Sequence, residues 1–231
     1  MATTEAAAHA TERLRPSASM STVAVLGAGH VGSAFARVAI EAGYRVLIAA
    51  SGDPQKIALI SEVLTPGAEP RWAAEAVAES DAVILAIPLH RFHAIDPDLL
   101  SGKIVIDVMN YWAPIDGVQP LFEDPELGSS EIVQRRLAGS RVVKSFNHIG
   151  YHELESERHP AGSPGRQALG IAGDNEAAVD AVAELVERVG YDALRIGGLA
   201  SGRILQPGGP VFGALLNASE FQQAIGYDAA A

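Results

Sequence analysis

Residues 22–32 read Thr22-Val23-Ala24-Val25-Leu26-Gly27-Ala28-Gly29-His30-Val31-Gly32, the most specific pattern in the chain. The apolar, largely β-branched run before the first glycine predicts a short buried strand. The glycines follow with the spacing G-x-G-x-x-G. They suit a tight turn, a close approach of backbone to a pyrophosphate, and close packing of the next helix. That helix, predicted over residues 31–42, would point its first amide groups at the phosphates.

The residues that follow complete the context that this pattern requires. Gly43-Tyr44-Arg45 ends the predicted helix, and a second apolar strand is predicted up to Ala50. A strand, a glycine turn, a helix and a second strand form a dinucleotide-binding βαβ unit. The alternative is a glycine turn in an unrelated α/β fold, which this context disfavours. We therefore predict that the loop contacts a dinucleotide through Gly27, Ala28, Gly29, His30, Val31 and Gly32.

Composition excludes several classes of function. The chain has 231 residues, a net charge of −11 and no cysteine. Its acidity, without a Lys/Arg block, argues against nucleic acid or an anionic membrane as a partner. The lack of cysteine excludes disulfides, thiolate metal sites and cysteine nucleophiles. No apolar run reaches the length of a membrane span. Residues 1–20 lack the apolar core of a signal peptide, so we expect a disordered tail and a cytoplasmic protein.

The remaining pattern alternates strands and helices. Apolar strands are predicted at residues 81–88, 103–108, 141–146, 167–172 and 191–196, with helices between most of them. This alternation predicts an α/β fold, a doubly wound, mostly parallel Rossmann sheet with helices on both faces. Residues 21–198 are assigned to that domain. Residues 199–231 are assigned to a small C-terminal helical segment that closes the cleft or forms a dimer interface.

The end of the second strand bears on the choice of nicotinamide cofactor. An NAD site usually has an acidic residue here, whereas this strand ends in Ala50-Ser51. Ser51 and Lys56 could contact a 2′-phosphate, which favours NADP. Asp53 complicates this interpretation, and we assign it to the N-cap of a helix over residues 55–64, with Pro54 at the first helical position.

Ligands of parallel sheets bind beyond the carboxyl ends of the strands, so we expect the strand ends after Val108, Phe146 and Ile196 to converge with residues 201–209. Ala86, Ile87, Pro88 and Asn110 are therefore predicted to contact the cofactor, and Asn147, His148 and Ile149 the second substrate. His148 is the candidate proton donor, with a hydrogen-bonded loop histidine as the alternative. His90 and His93 are three residues apart and could ligate a metal. Hydrogen-bonded or solvent-facing roles are favoured, because no third ligand is suitably spaced.

Several of these stretches resemble the NADPH-dependent reductases of the deazaflavin coenzyme F-420. The resemblance rests on the glycine loop, residues 82–88, Gly170-Ile171-Ala172-Gly173-Asp174 and Ser201-Gly202-Arg203. It covers roughly residues 22–216. The N-terminal module also resembles pyrroline-5-carboxylate reductases and ferric reductases of the STEAP type. One departure is clear: Ser51-Gly52-Asp53 stands where the family commonly has Ser-Arg-Arg, whose arginines clamp the 2′-phosphate.

The resemblance implies hydride transfer between NADP(H) and a deazaflavin held in a cleft beside the nicotinamide. Asn147 and His148 would then be the catalytic residues. Arg203, Pro207 and Gly208 would help to bind the acceptor, although Arg203 could equally form a structural ion pair. The alternatives are reduction of a small imine or ketone, and a dinucleotide-binding sensor without turnover. The apolar residues of segment 210–225 predict a homodimer or packing across the cleft.

Overall fold

A computed structural model describes residues 20–124 and 126–226. Eight strands form one sheet in the order β3-β2-β1-β4-β5-β6-β7-β8. The first six strands are mutually parallel, β7 is antiparallel to β6, and β8 is parallel to β7. The strands are β1 (Thr22–Leu26), β2 (Arg45–Ala49), β3 (Glu69–Pro70), β4 (Ala82–Leu85), β5 (Ile104–Asp107), β6 (Arg141–Lys144), β7 (Ala168–Gly173) and β8 (Asp192–Gly197).

Helices cover both faces of this sheet, as the alternating pattern predicted. They are α1 (His30–Glu41), α2 (Gln55–Leu64), α3 (Ala73–Glu79), α4 (Ala113–Asp116), α5 (Ser129–Arg136), α6 (Glu153–Ser156), α7 (Glu176–Arg188) and α8 (Ala218–Ala224). The 3-10 segments are Leu89–Ala94, Pro97–Leu100, Pro120–Phe122 and Leu199–Leu205. On one face, α1 and α7 bury Phe35 and Leu185, and on the other α3 and α5 bury Val77 and Val133. The doubly wound Rossmann-like fold is thus confirmed.

Two of the three glycines in the first loop are required by the fold itself. Gly27 has a φ of +123°, a conformation that side chains rarely adopt. A Cβ on Gly27 would also overlap the carbonyl of Ala86, and a Cβ on Gly32 would overlap the carbonyl oxygen of Gly27. The backbone of α1 therefore lies directly on the turn that leaves β1. This close approach fixes the start of α1 at the carboxyl edge of the sheet.

The reversal at β7 corrects one expectation about the site. The ends of the strands after Val108, Phe146 and Ile196 were expected to converge at one edge. Because β8 runs parallel to β7 and antiparallel to β6, the end of β8 lies at the opposite edge of the sheet. The 3-10 segment Leu199–Leu205 brings the chain back, and Gly202 packs on the side chain of Lys144.

The C-terminal segment folds back on its own sheet. A helix was expected over residues 210–225, but a helix forms only at α8, after turns at 210–213. Val211 and Phe221 are fully buried in a cluster with Ala168 and Leu205. The amide of Ala168 donates to the carbonyl of Leu216 at 2.8 Å. Packing within the chain therefore covers most of the apolar surface on which the homodimer prediction was based, and Leu215 stays exposed.

Helix α2, predicted at its observed bounds, is anchored weakly. Ser61 is its only buried residue, and Leu59, Ile60 and Val63 are 73%, 52% and 70% exposed. Among the described residues 20–124 and 126–226, no helix is long and apolar enough to cross a membrane.

Replacing Gly32 with alanine is expected to destabilise the fold. Alanine has the higher helix propensity by about 1 kcal/mol. The overlap with the carbonyl of Gly27 should outweigh this gain, because overpacking of this kind costs about 1–3 kcal/mol. Urea unfolding measures the change. Gly29→Ala is the matched control, because its Cβ would meet open space. Equal stability of the two variants would contradict the close-packing argument.

Candidate functional site

The glycine loop leaves an accessible helix start at the carboxyl edge. Gly29, His30 and Val31 are exposed, and a Cβ on Gly29 would have no heavy atom within 4 Å. Gly29 has a φ of −84°, so its backbone does not itself require glycine. Gly29 thus differs from Gly27 and Gly32, because the missing side chain leaves space on the solvent side of the loop and not within the fold. The loop therefore fits a pyrophosphate held by the first amide groups of α1.

The end of β2 presents small and cationic groups. Ser51 and Lys56 are both exposed, on either side of the turn that leads into α2. Gly52 has a φ of +101°, which explains why a glycine occupies this turn. The Asp53 carboxylate accepts from the amide of Gln55 at 2.9 Å, and Pro54 rather than Asp53 occupies the N-cap position. Asp53 thus stabilises the start of α2 as expected, although it lies one residue before the N-cap position rather than at it.

Two asparagines connect the ends of β5 and β6. The side-chain amide of Asn110 donates to the Asn147 carbonyl at 2.7 Å, and that of Asn147 donates to Asn110 Oδ1 at 2.9 Å. The Asn147 amide also donates to the carbonyl of Leu205 at 2.6 Å. The structure therefore brings together Asn110, Asn147 and the returning C-terminal segment. Asn147 Oδ1 is buried and has no hydrogen-bond partner among the described residues.

A strained residue directly precedes Asn147. Phe146 has a φ of +62°, the only described non-glycine residue with positive φ. Such a conformation costs on the order of 1–3 kcal/mol and persists only where surrounding packing holds it. Phe146 is buried, and its ring meets that of Phe35 edge-on, with the centroids 5.1 Å apart. Helix α1, which carries the dinucleotide loop, thus contacts the residue that precedes Asn147.

A fully buried ion pair lies beneath the asparagines. Lys144 Nζ is 3.3 Å from Asp107 Oδ2 and donates to the Met109 carbonyl at 2.5 Å. The hydroxyl of Ser130 and the amide of Met109 donate to the Asp107 carboxylate at 2.6 and 2.9 Å. Burial lowers the pKa of Lys144, and the charge of Asp107 opposes that shift. The pair and its hydrogen bonds connect β5, β6 and α5.

His148 does not occupy the position predicted for a proton donor. Its imidazole is 2% exposed, and Nε2 accepts from the amide of Gly170 at 3.2 Å. Burial, with a smaller contribution from Lys144, lowers the pKa of His148 to about 3. The ring is therefore a neutral part of the core. Because the unfolded chain binds a proton here near pH 6.5, acidification from that value towards pH 3 destabilises the native state.

The other predicted site residues lie either near the glycine loop and the core or at a surface depression. Ala86 and Ile87 are half-buried and Pro88 is exposed at the end of β4, next to the glycine loop. Ile149 is half-buried against the core. Pro207 and Gly208 line a surface depression of about 540 Å³, together with Arg203. The stem of Arg203 lies close to Gly128, and its guanidinium is 3.5 Å from the carbonyl oxygen of Glu126.

The two histidines considered as metal ligands have other contacts. His90 Nδ1 is 2.8 Å from Asp116 Oδ1, which is the hydrogen-bonded role favoured from the sequence. The ring of His93 packs on Phe92, with the centroids 4.5 Å apart. Within residues 20–124 and 126–226, no group of three or more His, Cys, Asp or Glu side chains could hold a metal ion.

Comparison with known proteins assigns a family to this arrangement. Residues 22–111, from β1 to the residue after Asn110, match the family described as NADP oxidoreductase coenzyme F420-dependent. A hypothetical protein from Sinorhizobium meliloti is 30% identical, with a TM-score of 0.71, over 85% of this chain and 94% of that chain. The chain belongs to the coenzyme F420-dependent NADP oxidoreductase family. As a member, it is an NAD(P)-dependent oxidoreductase with a dinucleotide-binding fold.

Two more distant relatives match most of this chain. The structure of a putative F420-dependent NADP-reductase from Arthrobacter sp. FB24 is 24% identical, with a TM-score of 0.64, over 78% of this chain and 86% of that one. Metalloreductase STEAP3 from Rattus norvegicus is 27% identical over 183 residues, which are 78% of this chain. The match covers 35% of the length of that metalloreductase.

Sequence reasoning missed Asp107, Lys144 and Ser130. A signal was present, because Asp107 and Lys144 each interrupt an apolar strand that a doubly wound fold buries on both faces. Opposite charges in two such strands predict a mutual pair, since an unpaired buried charge is very costly. Asp107 and Lys144 are partners in the parallel register of β5 and β6.

Gly29→Val is expected to abolish dinucleotide binding in a folded protein. The valine side chain would occupy the open space where the backbone must approach the pyrophosphate. Fluorescence titration with NADPH measures the affinity, and circular dichroism checks the fold. Unchanged affinity in a folded Gly29→Val protein would place the dinucleotide elsewhere.

Proposed function

We propose that the protein transfers a hydride between NADP(H) and a deazaflavin coenzyme of the F-420 type. The nicotinamide supplies the hydride when it is bound at the carboxyl edge. The protein binds the two rings, orients them face to face and excludes water between them. The glycine loop, the end of β4 and Asn110 would contact the dinucleotide. Asn147, Ile149 and the returning segment would border the acceptor.

The observation that supports this proposal most directly is the bridge from Asn110 through Asn147 to Leu205. It connects the end of β5, on the predicted cofactor side, to the C-terminal segment through hydrogen bonds of 2.6–2.9 Å. A second flat ring beside the nicotinamide would thus be bordered by a fixed backbone segment. Asn147 acts as a positioning residue in this account, because its amide is committed to the bridge.

The burial of His148 favours a deazaflavin over a small imine or ketone. Reduction of an imine or ketone adds a hydride to carbon and a proton to nitrogen or oxygen, so a positioned donor speeds it. His148, the donor predicted from the sequence, is buried and neutral in the core. Reduction of an oxidised deazaflavin adds a hydride to C5 and a proton to N1, but the conjugated ring carries the negative charge after hydride transfer. Water can then supply the proton, so a positioned donor matters less. A sensor without turnover is the remaining alternative, and the assay below distinguishes it.

Ser51 and Lys56 support a preference for NADP over NAD in this chain. They are exposed at the end of β2, where the adenosine ribose meets a dinucleotide fold. The Asp53 carboxylate accepts from the amide of Gln55, so it is directed away from a role as ribose acceptor. Together, Ser51 and Lys56 would replace the arginines that the family commonly has here.

We also propose that the protein is a homodimer. Light scattering tests this proposal, because the monomer mass is 24.1 kDa and a dimer would have twice that mass.

The double substitution Ser51→Ala/Lys56→Ala is expected to weaken NADP much more than NAD. Loss of a charge-assisted contact to the 2′-phosphate costs about 1.5–3 kcal/mol. Calorimetric titration with both oxidised cofactors measures the difference. The control is Gln55→Ala, an exposed neighbour on α2 whose side chain is not assigned to the phosphate. Equal losses for NADP and NAD would show that other residues set the preference.

Mixing the protein with NADPH and oxidised deazaflavin coenzyme should bleach the visible absorbance of the deazaflavin. Asn147→Ala should lower catalytic efficiency for the acceptor at least about tenfold, or about 1.4 kcal/mol, with little change in the KM of NADPH. Asn175→Ala, which removes the N-cap side chain of α7 outside the proposed site, is the control for a loss of stability without a change at the site. Turnover of a cyclic imine but not the deazaflavin would favour the imine reductase alternative. NADPH binding without any turnover would favour the sensor.

A further inference from the structure

A second depression lies outside the residues assigned to either substrate. It has a volume of about 540 Å³ and lies between the 3-10 segment Leu89–Ala94, residues 120–124 with Leu127, and α5. We call it the α5 depression. It is lined by Phe92, His93, Pro120, Leu121, Asp124, Leu127, Ile132, Arg135 and Arg136. Its volume falls within the range of about 300–1,000 Å³ that is typical of small-molecule sites.

Part of the lining of the α5 depression is apolar and accessible. Leu121 is 48% exposed, Pro120 is exposed and Leu127 is half-buried. Phe92 and Ile132 are buried beneath them. The accessible leucine and proline side chains offer apolar area that a bound ligand would cover. The ligand should therefore carry an apolar body.

The lining of the α5 depression also carries two arginines. The guanidinium of Arg136 donates to the carbonyls of His93 and Ile95, at 2.6 and 3.3 Å, and lies 5.9 Å from the centroid of the Phe92 ring. Neither carbonyl neutralises its charge. Arg135 is exposed and forms no hydrogen bond or ion pair with any residue that the structure describes. Because both arginines line the same depression, one phosphate or carboxylate bound there could accept from N–H donors of each.

One acidic residue, Asp124, lines the depression, and its Oδ1 accepts from the amide of Glu126 at 2.9 Å. The carboxylates of Glu123 and Glu131, outside the lining, accept from the hydroxyl of Tyr111 and the amide of Gly128. The lining itself therefore carries two cationic side chains and one carboxylate, in a chain whose net charge is −11.

We propose that the α5 depression binds a small anion in which a phosphate or carboxylate is joined to an apolar body. Arg135 and Arg136 bind the anionic group, and Pro120, Leu121 and Leu127 contact the body. None of these residues belongs to the dinucleotide loop or to the proposed acceptor site. The inference therefore does not depend on the identity of the hydride acceptor.

Phenyl phosphate is the probe for this site, added by calorimetric titration to the full chain saturated with NADP. Saturation keeps the phosphate of the probe away from the glycine loop. Phenyl phosphate should bind at least tenfold more tightly than inorganic phosphate or benzyl alcohol, because each of these lacks half of the recognised structure. No heat at millimolar concentration, or equal affinity for inorganic phosphate, would overturn the proposal.

Two arginine variants locate the binding. Arg135→Gln should weaken phenyl phosphate at least tenfold. Arg91→Gln should leave it within about twofold, because Arg91 lies on the same 3-10 segment as His93 but does not line the depression. Equal losses in both variants would indicate a long-range charge effect and overturn the site. Amide NMR shifts of the unsubstituted protein confined to residues 92–93, 121–124, 126–127 and 132–136 support the same placement. Shifts at residues 27–32 contradict it.

Discussion

The buried pair of Asp107 and Lys144 is the constraint on which the candidate site depends. Two charges with no solvent exposure are stable only if nearly every polar atom around them has a partner. Here the partners come from Ser130 on α5, from the backbone of Met109, and from each other. Gly202 packs on the stem of Lys144, which places the returning C-terminal segment against the same pair. Separation of β5 from β6 would leave a charge unpaired in the interior, and movement of α5 or of the C-terminal segment would remove a hydrogen bond or the cover of the pair.

This arrangement explains why the edge of the sheet can hold amides in fixed positions. Asn110 and Asn147 each follow a member of the buried pair by three residues, on neighbouring strands. Packing against the buried pair and against α1 holds their mutual hydrogen bonds and the strained backbone of Phe146 in place. Hydride transfer benefits from such positioning, because the rate depends steeply on how closely and in what orientation the two rings meet.

The parts of the fold that local sequence encodes were predictable. The roles of Gly27 and Gly32 follow from the geometry of one turn and one helix, and α2 was predicted at its observed bounds from Asp53, Pro54 and its apolar pattern. The orientation of β7 was not predictable, because an apolar run predicts a strand but not whether the strand is parallel or antiparallel to its neighbours. The choice between the two roles left open for His148, proton donor and hydrogen-bonded histidine, was not predictable for a related reason. A polar residue after a strand is expected to be accessible until the later segment that covers it, around Phe221, is placed.

The weak anchoring of α2 has a consequence for local dynamics. A helix with a single buried residue gains little from tertiary packing, so it can open without the rest of the sheet unfolding. Its amide hydrogens should exchange with solvent much faster than those of α1 or α7, which bury long apolar stripes. Because Lys56 lies in the first turn of α2, a dinucleotide that contacts it would couple binding to the ordering of this helix. Hydrogen exchange in α2 would then report directly on occupancy at the adenosine end of the site.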